Sequence, residues 1–186
     1  MHILGLCGSL RRNSYNRQLL VTAAGVLPEG GRLELFDALE RIPPFNEDHE
    51  EDVPAPVQWL RRRIGEADAV LIATPEYNSS PPGHLKNALD WASRPRGASV
   101  IREKPVAVIG ASTSQHGASR AQAELRKVLK SSGARVVEGE VAIGRAHERF
   151  MPDGWVVESQ LRDTLAELLA RLVGAEPTTT ALRGTP

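Results

Sequence analysis

The chain of 186 residues has a single cysteine, Cys7, which excludes an internal disulfide framework. It has no excess charge of either sign, because 23 lysines and arginines balance 23 aspartates and glutamates. The concentrated positive field that a phosphate backbone requires is missing, so nucleic acid is not expected as a partner. No segment approaches the roughly 18 consecutive apolar residues of a membrane-spanning helix. The N-terminus offers only the short apolar run HILGLC (2–7) with no basic region ahead of it, so neither a membrane nor an export route is expected and the cytoplasm is. Neither G-x-x-x-x-G-K-[ST] nor G-x-G-x-x-G occurs, which argues against ATP chemistry and against a dinucleotide fingerprint. There is no internal repeat.

Short apolar runs alternate with longer amphipathic ones. HILGLC (2–7) precedes SYNRQLLVTAAGVL (14–27), RLELF (32–36), VQWLRRRIGEA (57–67) and AVLIATP (69–75). The alternation continues through GHLKNALDWAS (83–93), PVAVIGAS (105–112), ASRAQAELRKVLKSSG (118–133), RVVEGEVAI (135–143) and VESQLRDTLAELLARLV (157–173). Strands alternating with helices of this length predict crossover units and a parallel sheet covered on both faces. Continuous apolar strands such as AVLIA and VAVIG suit burial on both sides. We expect one α/β domain over residues 1–173, a doubly wound five-stranded sheet, and an unstructured tail at 174–186. The strand order is 2-1-3-4-5 or 3-2-1-4-5. Residues 37–56 form a proline-rich, acidic excursion.

In either order a ligand sits beyond the carboxyl ends of the strands, where the winding reverses. In the order 2-1-3-4-5, strands one, three and four are neighbours, and their outgoing loops are GSLRRNSYN, TPEYNSSPPG and ASTSQHGAS. The first can form a phosphate pocket. Ser9, Ser14 and Asn16 offer side-chain donors, Arg11 offers a cation, and the helix start offers free N–H groups. Asn13 or Ser14 also suits the helix cap. The second loop puts Glu76, Tyr77 and Asn78 at the sheet edge, where a flat aromatic ligand can lie.

Gly8-Ser9-Leu10-Arg11 with Ser14 and Asn16, then Pro75-Glu76-Tyr77-Asn78, Ser80, Pro82-Gly83 and Leu85-Lys86-Asn87-Ala88-Leu89-Asp90-Trp91, resemble the NADPH-dependent FMN reductase family. That family includes bacterial quinone, chromate and azo-dye reductases of flavodoxin-like fold, and the likeness spans about residues 1–172. The resemblance implies the order 2-1-3-4-5 and a bound FMN. It also implies that Ser9, Arg11, Ser14, Tyr15 and Asn16 hold the phosphate, while Pro75, Glu76, Tyr77 and Asn78 line the ribityl chain and ring. The family's third flavin loop maps onto residues 111–120, giving Ser112, Thr113, Ser114, His116 and Gly117. Where the family carries a Gly-Gly pair, this chain reads Ser114-Gln115-His116-Gly117-Ala118.

The resemblance further implies ping-pong transfer from NADPH or NADH to a small-molecule oxidant over one open ring face. The flavin N5 carries the chemistry, and no side chain serves as acid or base. A homodimer or homotetramer is implied as well. Two alternatives stand beside it. A flavodoxin-like electron carrier or sensor would ordinarily be strongly acidic, which this chain is not. A serine hydrolase is suggested by Gly110-Ala111-Ser112-Thr113-Ser114, which approaches G-x-S-x-G without its last glycine, with His147 and Asp153 coming later in the wrong order. The run Glu47-Asp48-His49-Glu50-Glu51-Asp52 reads as solvated surface, with no metal site expected. Cys7 reads as a small core residue. Trp91 suits either the core or a subunit contact.

Overall fold

Successive strand residues point to opposite faces, so every internal strand of this protein must be apolar throughout if both faces are covered. The computed structural model, which describes residues 1–175, shows that arrangement. Its parallel strands are β1 (His2–Cys7), β2 (Arg32–Phe36), β3 (Ala69–Ala73) and β4 (Pro105–Ala111), with two short strands, β5 (Arg135–Val136) and β6 (Ala142–Ile143). Between and after them run α1 (Tyr15–Gly25), α2 (Ala55–Glu66), α3 (Gly83–Ala92), α4 (Ser119–Ser131), α5 (Ala146–Arg149) and α6 (Ser159–Gly174). The sheet order is β2-β1-β3-β4-β5, with β6 also paired to β4, which is the flavodoxin-like doubly wound order.

Alternation sorts the core into two halves. Leu4, Leu6, Val70, Ile72, Val106 and Val108 pack against α2, α3 and α4, through Val57, Leu60, Leu85, Leu89, Leu125 and their neighbours. Ile3, Leu71, Ala107 and Ile109 face the opposite way, onto Leu19 and Leu20 of α1 and Leu165, Leu168, Leu169 and Leu172 of α6. Burying each leucine or isoleucine contributes about 1.5–3 kcal/mol, so both faces hold the sheet rigid beneath its carboxyl-end loops. Trp91 belongs to this core and is fully buried, its indole N–H donating to the Pro43 carbonyl at 2.9 Å. Cys7 is buried too, and burial raises its thiol pKa.

The expected fifth strand, 135–143, is interrupted. Arg135 and Val136 pair with Pro105 and Val106, and Ala142 and Ile143 pair with Gly110 and Ala111; Val137 and Val141 still bond to the β4 backbone, and residues 138–140 between them leave the ladder. Two side chains from α4 also bond to this stretch. The Arg126 guanidinium donates to the Gly139 carbonyl at 2.8 Å, and the Gln122 amide donates to the Val141 carbonyl at 3.2 Å. The 37–56 excursion holds two single 3₁₀ turns, Leu39–Arg41 and Glu47–His49, and its Glu47 and Glu50 pair with Arg94 at 2.9 and 3.4 Å. The last helix extends through Gly174, one residue past the expected boundary, and most of the expected tail lies outside the described residues.

Candidate functional site

The loops leaving β1, β3 and β4 meet around a cavity of about 170 Å³. Its wall takes Ser9, Arg11, Ser14, Tyr15 and Asn16 from the first loop, Pro75, Glu76 and Tyr77 from the second, and Ala111, Ser112 and Thr113 from the third. Four expected residues lie outside it. Asn78 is exposed at the tip of its loop, Ser114 bonds Ser112, His116 is exposed beside Gln115, and Gly117 is buried against β6.

In the first loop the chain leaves β1 at Gly8, whose N–H donates to the Ala73 carbonyl at 2.8 Å. A Cβ at Gly8 would stand 2.8 Å from Leu85 Cδ2 and 3.3 Å from that carbonyl oxygen, so a side chain here would push the loop off β3. Ser14 then caps α1, its Oγ accepting from the Arg17 N–H at 3.3 Å. The helical ladder starts with the Gln18 N–H donating to the Ser14 carbonyl, so the N–H groups of Tyr15 and Asn16 precede it and are available to an anion. Arg11 sits close by, its guanidinium donating to the Asn13 carbonyl at 2.7 Å and lying 5.7 Å from the centre of the Tyr15 ring.

Asn16 does something the sequence did not disclose. Its Oδ1 accepts from the Ala111 N–H at 2.9 Å and its Nδ2 donates to the Ala111 carbonyl at 3.0 Å, in a position only 3% exposed. The side chain expected to face a phosphate is therefore a two-point tie between α1 and the end of β4, and the group it leaves for an anion is its backbone N–H.

The second loop ends in a two-residue turn. Tyr77 and Ser80 exchange N–H···O bonds at 3.0 and 3.1 Å, while Asn78 and Ser79 have φ of 53° and 66°, the left-handed pair that defines a type I′ turn. Serine is strained at such a φ. Ser79 is held there by Arg120, whose Nη1 donates to its Oγ at 3.2 Å. Tyr77 stands half-exposed at the mouth of the cavity.

Glu76 joins the second loop to the third. Helix α4 has no side-chain cap of its own, since its N-cap residue is Ala118. Glu76 Oε2 takes that place from another loop, accepting from the N–H groups of Arg120 and Ala121 at 3.1 and 3.2 Å. Its negative charge also complements the positive end of the helix. Replacing Glu76 by alanine is expected to lower stability by about 1–2 kcal/mol, the scale of a lost cap. Glu76→Gln, which keeps an acceptor oxygen, should recover at least half of that. Denaturant unfolding with amide exchange at Arg120 and Ala121 checks this, and equal losses in both variants would contradict the capping role.

His84 also escaped the sequence reading. It lies in the first turn of α3, its Nε2 is buried without a protein partner, and burial lowers its pKa while a hydrogen bond to the Gly8 backbone opposes that shift. Of these additions, only the cap had a sequence signal: a helix start reading Gly117-Ala118 lacks a capping side chain immediately before its first residue and must find an acceptor elsewhere.

No hydrolytic triad forms among the described residues. The Ser112 hydroxyl donates to Ser114 Oγ at 3.2 Å, the His147 ring lies against Glu148 at 3.3 Å, and the Asp153 carboxylate accepts from the Trp155 N–H at 3.1 Å.

A doubly wound sheet whose three central loops enclose a helix N-terminus and an arginine defines a mononucleotide-binding α/β protein. More specifically, the chain belongs to the NADPH-dependent FMN reductase family, whose sequence profile matches residues 1–148. It is 41% identical over 172 residues to the NAD(P)H-dependent FMN reductase PA1204 of Pseudomonas aeruginosa, covering 91% of this chain and 92% of that one. It is 44% identical over 166 residues to a 2-hydroxy-1,4-benzoquinone reductase of a Burkholderia species, covering 89% and 90% of the two chains. Among solved structures, FerB, a flavoenzyme NAD(P)H:(acceptor) oxidoreductase of Paracoccus denitrificans, matches with a TM-score of 0.85 and 33% identity, over 94% of this chain and 98% of FerB.

Proposed function

We propose that this chain is an FMN-dependent oxidoreductase that carries reducing equivalents from NADPH or NADH to a small-molecule oxidant such as a quinone or flavin. The observation that carries this reading is the convergence of three loops on one cleft, with Arg11 and the start of α1 on one wall and the half-exposed Tyr77 on another. Bound there, FMN supplies the hydride and electron transfer. The N–H groups of Tyr15 and Asn16, the hydroxyls of Ser9 and Ser14, and Arg11 would hold its phosphate. Pro75, Glu76, Tyr77, Ser112 and Thr113 would flank the rest, and Asn78, Ser114, His116 and Gly117 act from outside the cleft. The site's residues fit the group because its donors are neutral hydroxyls, N–H groups and one cation, the set a phosphate dianion requires.

A single flavin-binding unit over residues 1–173, a ping-pong cycle, assembly as a homodimer or homotetramer, and residence in the cytoplasm complete the proposal. A quinone as oxidant is supported by the Burkholderia relative's name, and residence in the cytoplasm is in keeping with there being no helix among the described residues long and apolar enough to cross a membrane. The test is the visible spectrum of the protein with FMN under anaerobic NADPH. The flavin bands should bleach, and adding a quinone should restore them. A flavin that stays oxidised with both NADPH and NADH would overturn the reading.

A further inference from the structure

A second cavity, about 420 Å³, opens on the other side of the first loop. Ser9 and Arg11 belong to both walls, and the remainder lies between that loop and the segment after β2. Its wall is about equally polar and apolar: Cys7, Phe36, Ala38 and Leu39, themselves largely buried, contribute apolar groups, and Leu10 adds a side chain that is 52% exposed. Its rim is charged. Arg17 grips Asp37 through two hydrogen bonds of 2.5 and 3.0 Å, which neutralises that pair and fixes the far edge. Arg11, Arg12 and Glu40 remain, Glu40 lying 3.9 Å from the Arg41 guanidinium just outside, so the rim is cationic by at least one charge. Arg12 is exposed and has no hydrogen-bonding or ionic partner among the described residues.

Nothing in the flavin reading uses this space. A cation without a partner, an exposed leucine over a partly apolar wall, and a carboxylate able to accept from hydroxyls are the complements of a phosphate, a purine and a ribose. We propose that this second cavity binds the adenosine phosphate end of a dinucleotide, with Arg12 on its phosphate, Leu10 beside its purine and Glu40 accepting from its ribose. The inference rests on the flavin reading only through the shared wall of Ser9 and Arg11. Two dinucleotides carry such an end: FAD, taken in place of FMN with its second half crossing that wall, and NAD(P)H, during turnover.

The test uses AMP as probe on FMN-loaded protein, by titration calorimetry. One site per chain is expected, and Arg12→Glu should weaken it by about tenfold or more, the scale of a lost charge-assisted contact. Arg12→Lys should recover part of that loss, and FMN affinity should be unchanged in both variants because Arg12 lies outside the flavin cleft. If FAD is the source, the flavin-free protein binds FAD more tightly than FMN and Arg12→Glu removes that advantage. If the nicotinamide dinucleotide is the source, FAD gains nothing over FMN, AMP competes with NADH, whose ribose lacks the 2′-phosphate that Glu40 would repel, and Arg12→Glu raises KM with kcat unchanged. FMN binding without any AMP site overturns this inference and spares the flavin reading. AMP binding without FMN does the reverse.

Discussion

Replacing Asn16 by alanine should destabilise the protein by about 2–6 kcal/mol, because it leaves two buried backbone groups of Ala111 without partners at about 1–3 kcal/mol each. Both bonds to Ala111 are short and well shielded, and no other side chain among the described residues stands in for them. Ala111 lines the cleft, so the same substitution lets the end of β4 drift from the start of α1 and should weaken FMN binding by at least about tenfold. The urea midpoint and an FMN titration measure the two effects separately. Loss of flavin affinity at unchanged stability would mean that Asn16 acts on the phosphate directly through its side chain, and that the tie to β4 is incidental.

Gly117→Ala should be nearly as damaging. The residue has φ of +56°, where a Cβ costs about 1–2 kcal/mol, and an added Cβ would stand 2.3 Å from the Ala142 carbonyl carbon and 2.6 Å from the Ile143 nitrogen. Those are backbone atoms of β6 and cannot rotate away. The expected loss is about 3 kcal/mol or more, the class of backbone overpacking in a core, with β6 separating from β4 and dragging the third loop with it. Gly30→Ala is the control, since Gly30 shares a positive φ of +79° but a Cβ there meets nothing within 4 Å. Its cost should be only that of the backbone conformation. Equal losses at the two positions would show that β6 yields and that the contact with Gly117 is unimportant.

How much of this was legible depends on how local each cause is. The strands AVLIA and PVAVIGA announced themselves because burial on both faces demands unbroken apolar runs, and their alternation with helices limited the winding to two orders. The placing of Ser9, Arg11 and Ser14 at the cleft, and the Ser14 cap, were legible, because residue type and helix position suffice for them. Legibility failed where partners are far apart in the chain. Asn16 reaches Ala111 across 95 positions, Glu76 reaches Arg120 across 44, and in each case the sequence shows a polar residue in a polar loop without saying what it touches. The interrupted strand was missed for a similar reason, because residues 138–140 leave β4 and the Gly139 carbonyl is instead met by Arg126, 13 positions away on α4. A type I′ turn built on Asn78-Ser79 was hidden by its serine, which the Tyr77–Ser80 backbone bonds and the contact from Arg120 hold in place.

The most direct measurement is a nitrogen–proton correlation spectrum of labelled protein titrated with FMN. Amide shifts confined to residues 9–16, 76–78 and 111–114, saturating at one flavin per chain, are the expected result. Saturable binding that moves only one of the three loops, or shifts elsewhere on the sheet with these loops silent, would contradict the cradle.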